Sequence, residues 1–280
     1  MRLSQRLVLK YVRTKFKFLS SLSKRNAAEK AFQLFCTPQR RTKKSIPPIF
    51  QKAEKLQFSF NNAIVRGYRW NHPSEKKAII LHGFESSVIN FDRYVKPMMQ
   101  KGYEVLAFDA PAHGISSGKS INVLTYKNMI LHIIKEYGPI HSFIAHSFGG
   151  LSLTLALEET DHDESYKMVL IAPAAETKTA IDHFFQLLKL DDEVRAEFNQ
   201  IIKETGGHNA EWFSVARASE HIKASVLFVQ DKDDQMTPLT DVEPIRKKAY
   251  PNFRFLITEG LGHRRIYRDN TITREIIDFL

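Results

Sequence analysis

The stretch "IAHSFGGLSL", residues 144–153, passes without a loop from an apolar strand pattern into an apolar helix pattern. Ser147 stands at the junction, with Ala145 two positions before it and Gly149 two positions after it. A sharp strand-to-helix turn exposes the serine hydroxyl and requires small residues at these two positions. Gly149 meets that requirement, and Ala145 meets it if its φ is negative. The alternative interpretation is a serine that only caps the following helix.

Short strand-like runs and helical patterns alternate on both sides of this stretch. Eight runs are typical of strands: LQFSF, AIVRGYRW, KKAIILHG, YEVLAFDA, SFIAHS, YKMVLIAPA, ASVLFVQD and FRFLIT. The first two predict an antiparallel pair around Asn61 and Asn62. The later runs are almost continuously apolar and separated by helices, which predicts a mostly parallel α/β sheet covered by helices on both faces. A helical stretch at about 174–223 interrupts the alternation and predicts a small cap over the carboxyl edge of the sheet.

The basic charge of the chain lies in its first 50 residues. The chain has a net charge of +10, but residues 1–50 hold 13 Lys and Arg and a single acid, Glu29. Residues 51–280 hold 28 bases and 30 acids and are nearly neutral. We therefore predict a basic N-terminal extension and linker at 1–50 and a single domain at 51–280. The extension lacks a groove-reading or stacking motif, so nucleic acid is not an expected partner.

The start of the chain has the pattern of a basic amphipathic helix. A mostly apolar stripe recurs at steps of three or four residues, at Leu3, Leu7, Tyr11, Thr14 and Phe18. Three interpretations are open. The apolar stripe packs on the main domain, residues 1–25 lie on an anionic membrane surface, or the segment is an organellar transit peptide.

Composition bounds the location and the cofactors. Cys36 is the only cysteine, so the chain can form neither an intramolecular disulfide nor a zinc site built from cysteines. The histidines lack metal-ligand spacing, and no apolar run approaches the roughly 20 residues of a membrane-spanning helix. We expect a cytoplasmic protein without a metal, with peripheral membrane association or organellar targeting as alternatives.

Two more motifs follow strands downstream of Ser147. "TEGLGHRRIY" places His263 in a glycine-flanked loop after one strand, and "LFVQDKDDQMTP" places Asp231, Asp233 and Asp234 at the end of another. Because the carboxyl ends of parallel strands meet at one edge of a sheet, we expect these side chains near Ser147. A serine hydroxyl is a weak nucleophile and needs a general base that is itself oriented by a carboxylate. The three residue types needed for such a site are therefore present in the order Ser, Asp, His.

Four motifs, each at a strand end, together resemble the α/β-hydrolase superfamily over residues 56–280: LHGF, FDAPAHGISSG, AHSFGG and GLGH. The resemblance is to its serine hydrolases of the esterase and lipase type. It implies the α/β-hydrolase fold and cleavage of a carboxylic ester or related acyl bond in a small-molecule substrate, with no cofactor. Ala112 and Ala145 each stand where the superfamily commonly has glycine.

The resemblance also implies roles for individual residues. Ser147 is the nucleophile and His263 the general base, and the backbone N–H groups of Phe84 and Phe148 form the oxyanion hole. The acid of the superfamily is commonly followed by a proline four residues on, which selects Asp234.

Three alternatives accompany these roles. Asp233 is the close alternative to Asp234, since Asp231 stands where a glycine usually precedes the acid and is itself a candidate for capping the loop. The alternative function is a catalytically silent α/β-hydrolase that binds a ligand or partner, which the three departures from the motifs favour. Thioesterase, amidase, peptidase and C–C hydrolase activities use the same three residue types and are also open.

Overall fold

A computed structural model of the chain describes residues 3–41 and 45–280. The first two residues and residues 42–44 of the predicted linker lie outside the described residues. The chain divides into a helical unit, Met1–Thr37 with Glu176–Phe213, and a sheet unit, Pro38–Ala175 with Ser214–Leu280. This division differs from the predicted boundary at residue 50, because the first 37 residues group with the core of the predicted insertion.

Eight strands form one mixed sheet in the described part of the sheet unit. They are β1 (Glu54–Phe60), β2 (Ala63–Trp70), β3 (Lys77–Leu81), β4 (Glu104–Asp109), β5 (Ser142–His146), β6 (Lys167–Ile171), β7 (Ser225–Asp231) and β8 (Phe253–Thr258). Their order across the sheet is β1-β2-β4-β3-β5-β6-β7-β8. β2 pairs antiparallel with β1 and β4, and all other neighbours pair parallel. The mostly parallel sheet predicted from the sequence is confirmed.

The helices of the described residues follow in chain order. They are α1 (Leu3–Leu22), α2 (Lys24–Phe35), α3 (Pro48–Gln51), α4 (Asp92–Gln100), α5 (Val123–Tyr137), α6 (Phe148–Leu157), α7 (Thr177–Leu188), α8 (Asp192–Gly206), α9 (Val215–Ala218), α10 (Leu239–Lys248), α11 (Gly262–Arg265) and α12 (Asn270–Phe279). Short 3₁₀ turns lie at Val88–Phe91, Ala210–Trp212, Ser219–His221 and Ile266–Arg268. In the part of the chain that the structure describes, no helix is both long and apolar enough to cross a lipid bilayer.

The most apolar runs form the central strands, which are the most buried part of the sheet. All residues of β4 and β5 are buried, whereas the edge strand β1 alternates between exposed and half-buried residues. The β1–β2 hairpin turns at Asn61 and Asn62, with φ values of 44° and 60°. Asparagine tolerates this left-handed conformation, which a tight two-residue hairpin needs.

In the helical unit, α2 packs against α8 of the insertion. Ala27, Ala28 and Ala31 are buried on one face of α2, and such small residues allow a neighbouring helix to approach closely. The Phe198 ring of α8 packs edge-to-face on Phe32 with 5.7 Å between ring centroids. This packing explains why the N-terminal segment groups with the insertion and is not a separate extension.

Helix α1 packs through the face that contains Phe16, and not through the apolar stripe predicted from the sequence. Phe16 is buried and the Arg13 guanidinium donates two hydrogen bonds to the Leu187 carbonyl, at 2.8 and 3.0 Å. The predicted stripe is exposed at Leu7, Tyr11 and Phe18, and the Leu3 side chain lies outside the described residues. The interpretation that this stripe packs on the main domain is therefore wrong. The helix has a second apolar face with the same period, so periodicity alone could not choose between them.

Candidate active site

Ser147 occupies the sharp turn between β5 and α6. Its φ of 54° and ψ of −120° are a conformation that costs a residue with a side chain about 1–3 kcal/mol. A Cβ atom at Gly149 would stand 2.6 Å from the His82 carbonyl oxygen, so glycine is needed there. Ala145 lies in β5 with a negative φ, so a residue with a methyl side chain is tolerated two positions before the serine, as predicted. The Ser147 side chain makes no capping hydrogen bond to α6, so the helix-cap interpretation is wrong.

The imidazole of His263 lies between the Ser147 hydroxyl and a carboxylate. His263 follows β8 in the short helix α11. Its Nε2 is 3.0 Å from Ser147 Oγ, and its Nδ1 is 2.8 Å from Asp234 Oδ2. Because a carboxylate only accepts hydrogen bonds, we assign the imidazole proton to Nδ1, which leaves Nε2 free to accept from the hydroxyl. Hydroxyl, imidazole and carboxylate thus form one continuous chain of hydrogen bonds.

The three neighbouring aspartates have separate contacts. Asp234, at the end of the β7 turn, is the one that contacts His263. Asp233 accepts instead from the Gly260 amide, and Asp231 accepts from the Leu261 amide and the Thr258 hydroxyl. The two carboxylates that do not reach the imidazole therefore hold the loop that carries it. This explains Asp231 at the position where the superfamily commonly has glycine.

Sequence reasoning missed Thr237, which completes the surroundings of the carboxylate. Its hydroxyl donates to Asp234 Oδ2 at 2.7 Å and lies 3.1 Å from His263 Nδ1, and its amide donates to Asp234 Oδ1. Burial by itself raises the pKa of Asp234, but the hydrogen bond and charge of His263 and the Thr237 donors outweigh it, so this pKa is lowered. Asp234 therefore stays ionised beside the imidazole. The sequence offered one indication of this role, a threonine directly before Pro238 and three residues after Asp234.

Phe84 and Phe148, the predicted oxyanion-hole residues, lie side by side at the sharp turn between β5 and α6 that carries Ser147, which we call the elbow. Their rings pack edge-to-face with centroids 5.8 Å apart. A Cβ atom at Gly83 would stand 2.9 Å from the Ser147 Cβ, so the His-Gly turn passes directly against the serine. Phe148 is the first residue of α6, where the amide has no acceptor within the helix. Among the residues that the structure describes, no acceptor is recorded for the amide of Phe84 or Phe148.

Two buried histidines tie the loops around the site together. The Ala110 amide donates to His82 Nε2 at 2.9 Å, so the His82 proton is on Nδ1, which donates to the Gly83 carbonyl at 2.8 Å. The Glu85 amide donates to His113 Nε2 at 3.0 Å. Burial lowers the pKa of His82 to about 4, and burial together with the neighbouring His82 lowers that of His113 to about 3. Both rings are therefore neutral and support the loops around the site.

We expect the buried His82 ring to make the free energy of unfolding fall as the solution is acidified. A histidine whose folded-state pKa is depressed contributes its full stability above the unfolded value of 6.5, and this contribution is lost as the pH falls through about 4. The difference between these pKa values corresponds to about 3 kcal/mol. Urea unfolding at a series of pH values from neutral to acidic measures it.

The control for this prediction is a histidine on the surface. His82→Gln should lower stability at neutral pH but flatten the pH dependence by about that amount. His221→Gln, which removes an exposed imidazole of the sheet unit, should give a curve parallel to that of the wild type. A His82→Gln variant with the wild-type pH dependence would contradict the assignment.

His146, which directly precedes Ser147, supports the loop that carries His263. Its Nε2 lies 3.1 Å from the His263 carbonyl oxygen and donates to it, while its Nδ1 is buried without a partner among the described residues. Burial and the neighbouring His263 hold the pKa of His146 well below its ordinary value. His146 is thus a neutral donor to the backbone that positions His263. Within the described chain, no three His, Cys, Asp or Glu residues are grouped in a way that could hold a metal ion.

Comparison with known proteins gives a family match over the centre of the chain. A family model described as "Serine aminopeptidase, S33" matches residues 72–227, more than half of the sequence. The uncharacterized protein YqkD of Bacillus subtilis (strain 168) is 24% identical over 255 residues, which cover 82% of this chain and 81% of YqkD. The matched region contains the Ser147 elbow and the His-Gly turn.

Solved structures show the same architecture. The esterase Pf2001 of Pyrococcus furiosus matches with a TM-score of 0.63 at 23% identity, covering 88% of this chain and 97% of that one. Est1E from Butyrivibrio proteoclasticus, solved with ferulic acid bound, matches with a TM-score of 0.62 at 20% identity, covering 80% and 97%. At these identities the likeness shows the shared fold, which confirms the expected α/β-hydrolase architecture.

Proposed function

This chain belongs to the serine aminopeptidase S33 family of α/β-hydrolases, and we propose that it cleaves carboxylic esters or chemically related acyl bonds through a covalent acyl-enzyme. The observation that carries the proposal is the His263 imidazole, hydrogen-bonded to both the Ser147 hydroxyl and the Asp234 carboxylate. The similar fold of Pf2001, which is named an esterase, supports it. The substrate is a small molecule with an acyl group.

The first half of the reaction forms the acyl-enzyme. His263 Nε2 takes the hydroxyl proton as Ser147 Oγ bonds to the carbonyl carbon, and the carbonyl π electrons move onto oxygen. The amides of Phe84 and Phe148 donate to this oxyanion, and one such donor is worth roughly 3–4 kcal/mol. The intermediate then collapses, the bond to the leaving alcohol breaks, and His263 returns the proton to that alcohol.

The second half regenerates the serine by the same route. A water molecule gives a proton to His263 Nε2 while its oxygen adds to the acyl carbon. Collapse of this intermediate breaks the bond to Ser147 Oγ, and His263 returns the proton to the serine. The ionised Asp234 stabilises the imidazolium that forms in each half. No step needs a cofactor.

A fluorophosphonate probe tests the proposal directly, because it phosphonylates only an activated serine hydroxyl. We expect the folded wild-type chain to gain one probe mass on the peptide that contains Ser147, and Ser147→Ala to gain none. Ser152→Ala is the matched control, since it removes a buried hydroxyl one turn further along α6 and should label normally. No labelling of folded wild-type protein would favour the catalytically silent ligand-binding alternative.

The acyl group is defined by a second measurement. Hydrolysis of p-nitrophenyl esters with acyl chains of increasing length gives kcat/KM for each chain length. A maximum at one chain length would identify the size of the acyl site. Hydrolysis of an amide or thioester analogue at the same or a higher rate would assign the chain to that related acyl bond.

Thr237 is proposed as a positioning residue that acts through Asp234. Thr237→Val keeps the shape of the buried side chain but removes the donor to the carboxylate, and we expect kcat to fall about tenfold with little change in KM. The Thr237 hydroxyl also helps to keep the pKa of Asp234 low. In the valine variant this pKa should rise, so activity should be lost at a higher pH on acidification than in the wild type. Thr237→Ser should restore most of the activity. Equal activity of the valine variant would contradict this role.

A further inference from the structure

The outward face of α1 carries a continuous row of large apolar side chains. Leu7, Tyr11, Phe18 and Leu22 are 61%, 69%, 64% and 69% exposed. Residues at these spacings lie above one another on a helix, so they form a single stripe along several turns, which we call the outward stripe. Single exposed apolar residues are ordinary on protein surfaces, but a long stripe of them indicates an interaction surface.

Cationic side chains border the outward stripe. Arg6, Lys10 and Lys17 lie along one edge and Lys15 along the other, and all four are exposed. The sequence has no acidic residue before Glu29. Among the described residues, no ion pair is recorded for these four cations. The bordering charges are therefore available to an anionic partner.

The bases of α2 show the opposite arrangement. Lys24 pairs with Asp191 at 3.0 Å, and Arg25 pairs with Glu204 at 2.6 Å, both within the helical unit. Lys24 and Arg25 of α2 thus have ion-pair partners inside the unit, whereas no ion pair is found among the described residues for the four cations that border the outward stripe.

The opposite face of α1 holds the helix in place. Phe16 is buried, Arg13 donates to the Leu187 carbonyl, and the Ser20 hydroxyl donates to Asp191 Oδ2 at 2.5 Å. The outward stripe is therefore presented by a helix that is already formed. Its partner does not have to supply the free energy of folding the segment.

From this geometry we infer that α1 docks the protein on the surface of an anionic phospholipid bilayer. Leu7, Tyr11 and Phe18 enter the boundary between headgroups and acyl chains, while the bordering lysines contact lipid phosphates. Apolar burial and attraction to anionic lipid are the two contributions that hold an amphipathic helix at a membrane surface. A second copy of this chain fits less well, because the cations of two outward stripes would face each other. The inference does not depend on the proposed ester hydrolysis.

Vesicle flotation with the full-length protein tests this inference. We expect binding to vesicles of phosphatidylglycerol mixed with phosphatidylcholine, and none to vesicles of phosphatidylcholine alone. High salt should weaken the binding, because it screens the charges. Absence of binding to the anionic vesicles would overturn the inference.

Two surface variants separate the contribution of apolar burial from that of attraction to anionic lipid. Leu7→Gln/Tyr11→Gln/Phe18→Gln should lower the partition coefficient at least about 100-fold. Lys10→Gln/Lys17→Gln should lower it about 30-fold, and the matched control Lys223→Gln/Lys247→Gln, which removes the same charge from the sheet unit, should leave it near the wild-type value. The thermal unfolding midpoint of each variant should stay unchanged, since all of these side chains are exposed.

Two results would contradict the inference despite binding of the wild type. One is a triple glutamine variant that floats as well as the wild type, which would place the contact elsewhere. The other is a lysine control that loses as much affinity as Lys10→Gln/Lys17→Gln, which would indicate attraction by net charge alone. A dimer in solution that the triple variant dissociates, without vesicle binding, would assign the outward stripe to a second copy.

Discussion

Replacing Ser147 with alanine is expected to lower kcat for p-nitrophenyl ester hydrolysis by about a million-fold. The Ser147 hydroxyl is the group that bonds to the acyl carbon in the proposed reaction, and it lies 3.0 Å from His263 Nε2, the nitrogen that takes its proton. Losses of about this size are typical when the nucleophile of a Ser-His-Asp hydrolase is removed. Initial rates with a short-chain ester, measured at equal concentrations of folded protein, give the ratio directly.

A glycine at position 147 separates the loss of catalytic activity from a change in folding stability. Ser147→Gly also lacks the hydroxyl, but it adopts φ 54° and ψ −120° without the cost that a Cβ imposes. We therefore expect the glycine variant to be more stable to urea than the alanine variant by roughly 1 kcal/mol, with equal loss of activity. An alanine variant that is folded and retains more than a small fraction of wild-type activity would contradict the nucleophile assignment.

Asp234→Asn is expected to lower kcat about 10⁴-fold. The asparagine side chain cannot stabilise the imidazolium that forms when His263 takes a proton. Its amide group also donates to Nδ1, which moves the imidazole proton to Nε2, where it blocks acceptance from the Ser147 hydroxyl. Steady-state rates with the same ester measure the loss.

The neighbouring carboxylate provides the matched control. Asp233→Asn makes the same chemical change one residue away, and its side chain can still accept the hydrogen bond from the Gly260 amide. We expect its kcat to stay within about threefold of the wild type, since Asp233 contacts the loop and not the imidazole. A larger loss in Asp233→Asn than in Asp234→Asn would reverse the choice between the two acids.

The departures from the superfamily motifs have different consequences in the structure. Ala145 is accommodated because its position in β5 has extended backbone. Ala112 has a φ of 67°, the left-handed region that favours glycine, so this substitution carries strain in the loop after β4. Asp231 gains contacts to the His263 loop that a glycine could not make. None of the three removes a group from the chain of hydrogen bonds at Ser147.

The sequence by itself determined the fold and the participants of the candidate site. In the strands β3 to β7 every residue after the first is buried, so each leaves an apolar run whose end is visible in the sequence. Parallel strands end at one edge, and for that reason Ser147, His263 and an aspartate could be expected together from their places after strands. Local steric rules also predicted the elbow, because they depend only on residues two positions apart.

Only the tertiary structure decided what depends on side-chain direction and on partners distant in sequence. Asp231, Asp233 and Asp234 share one turn, and their carboxylates have different partners only because Leu261, Gly260 and His263, all after β8, donate a separate hydrogen bond to each of them. Helix α1 has two apolar faces of the same period, and the face that is buried is set by residues of the insertion such as Leu187, more than 160 positions away. The periodicity of the sequence shows that a helix face is apolar. It does not show which residues, distant in the sequence, will pack against that face.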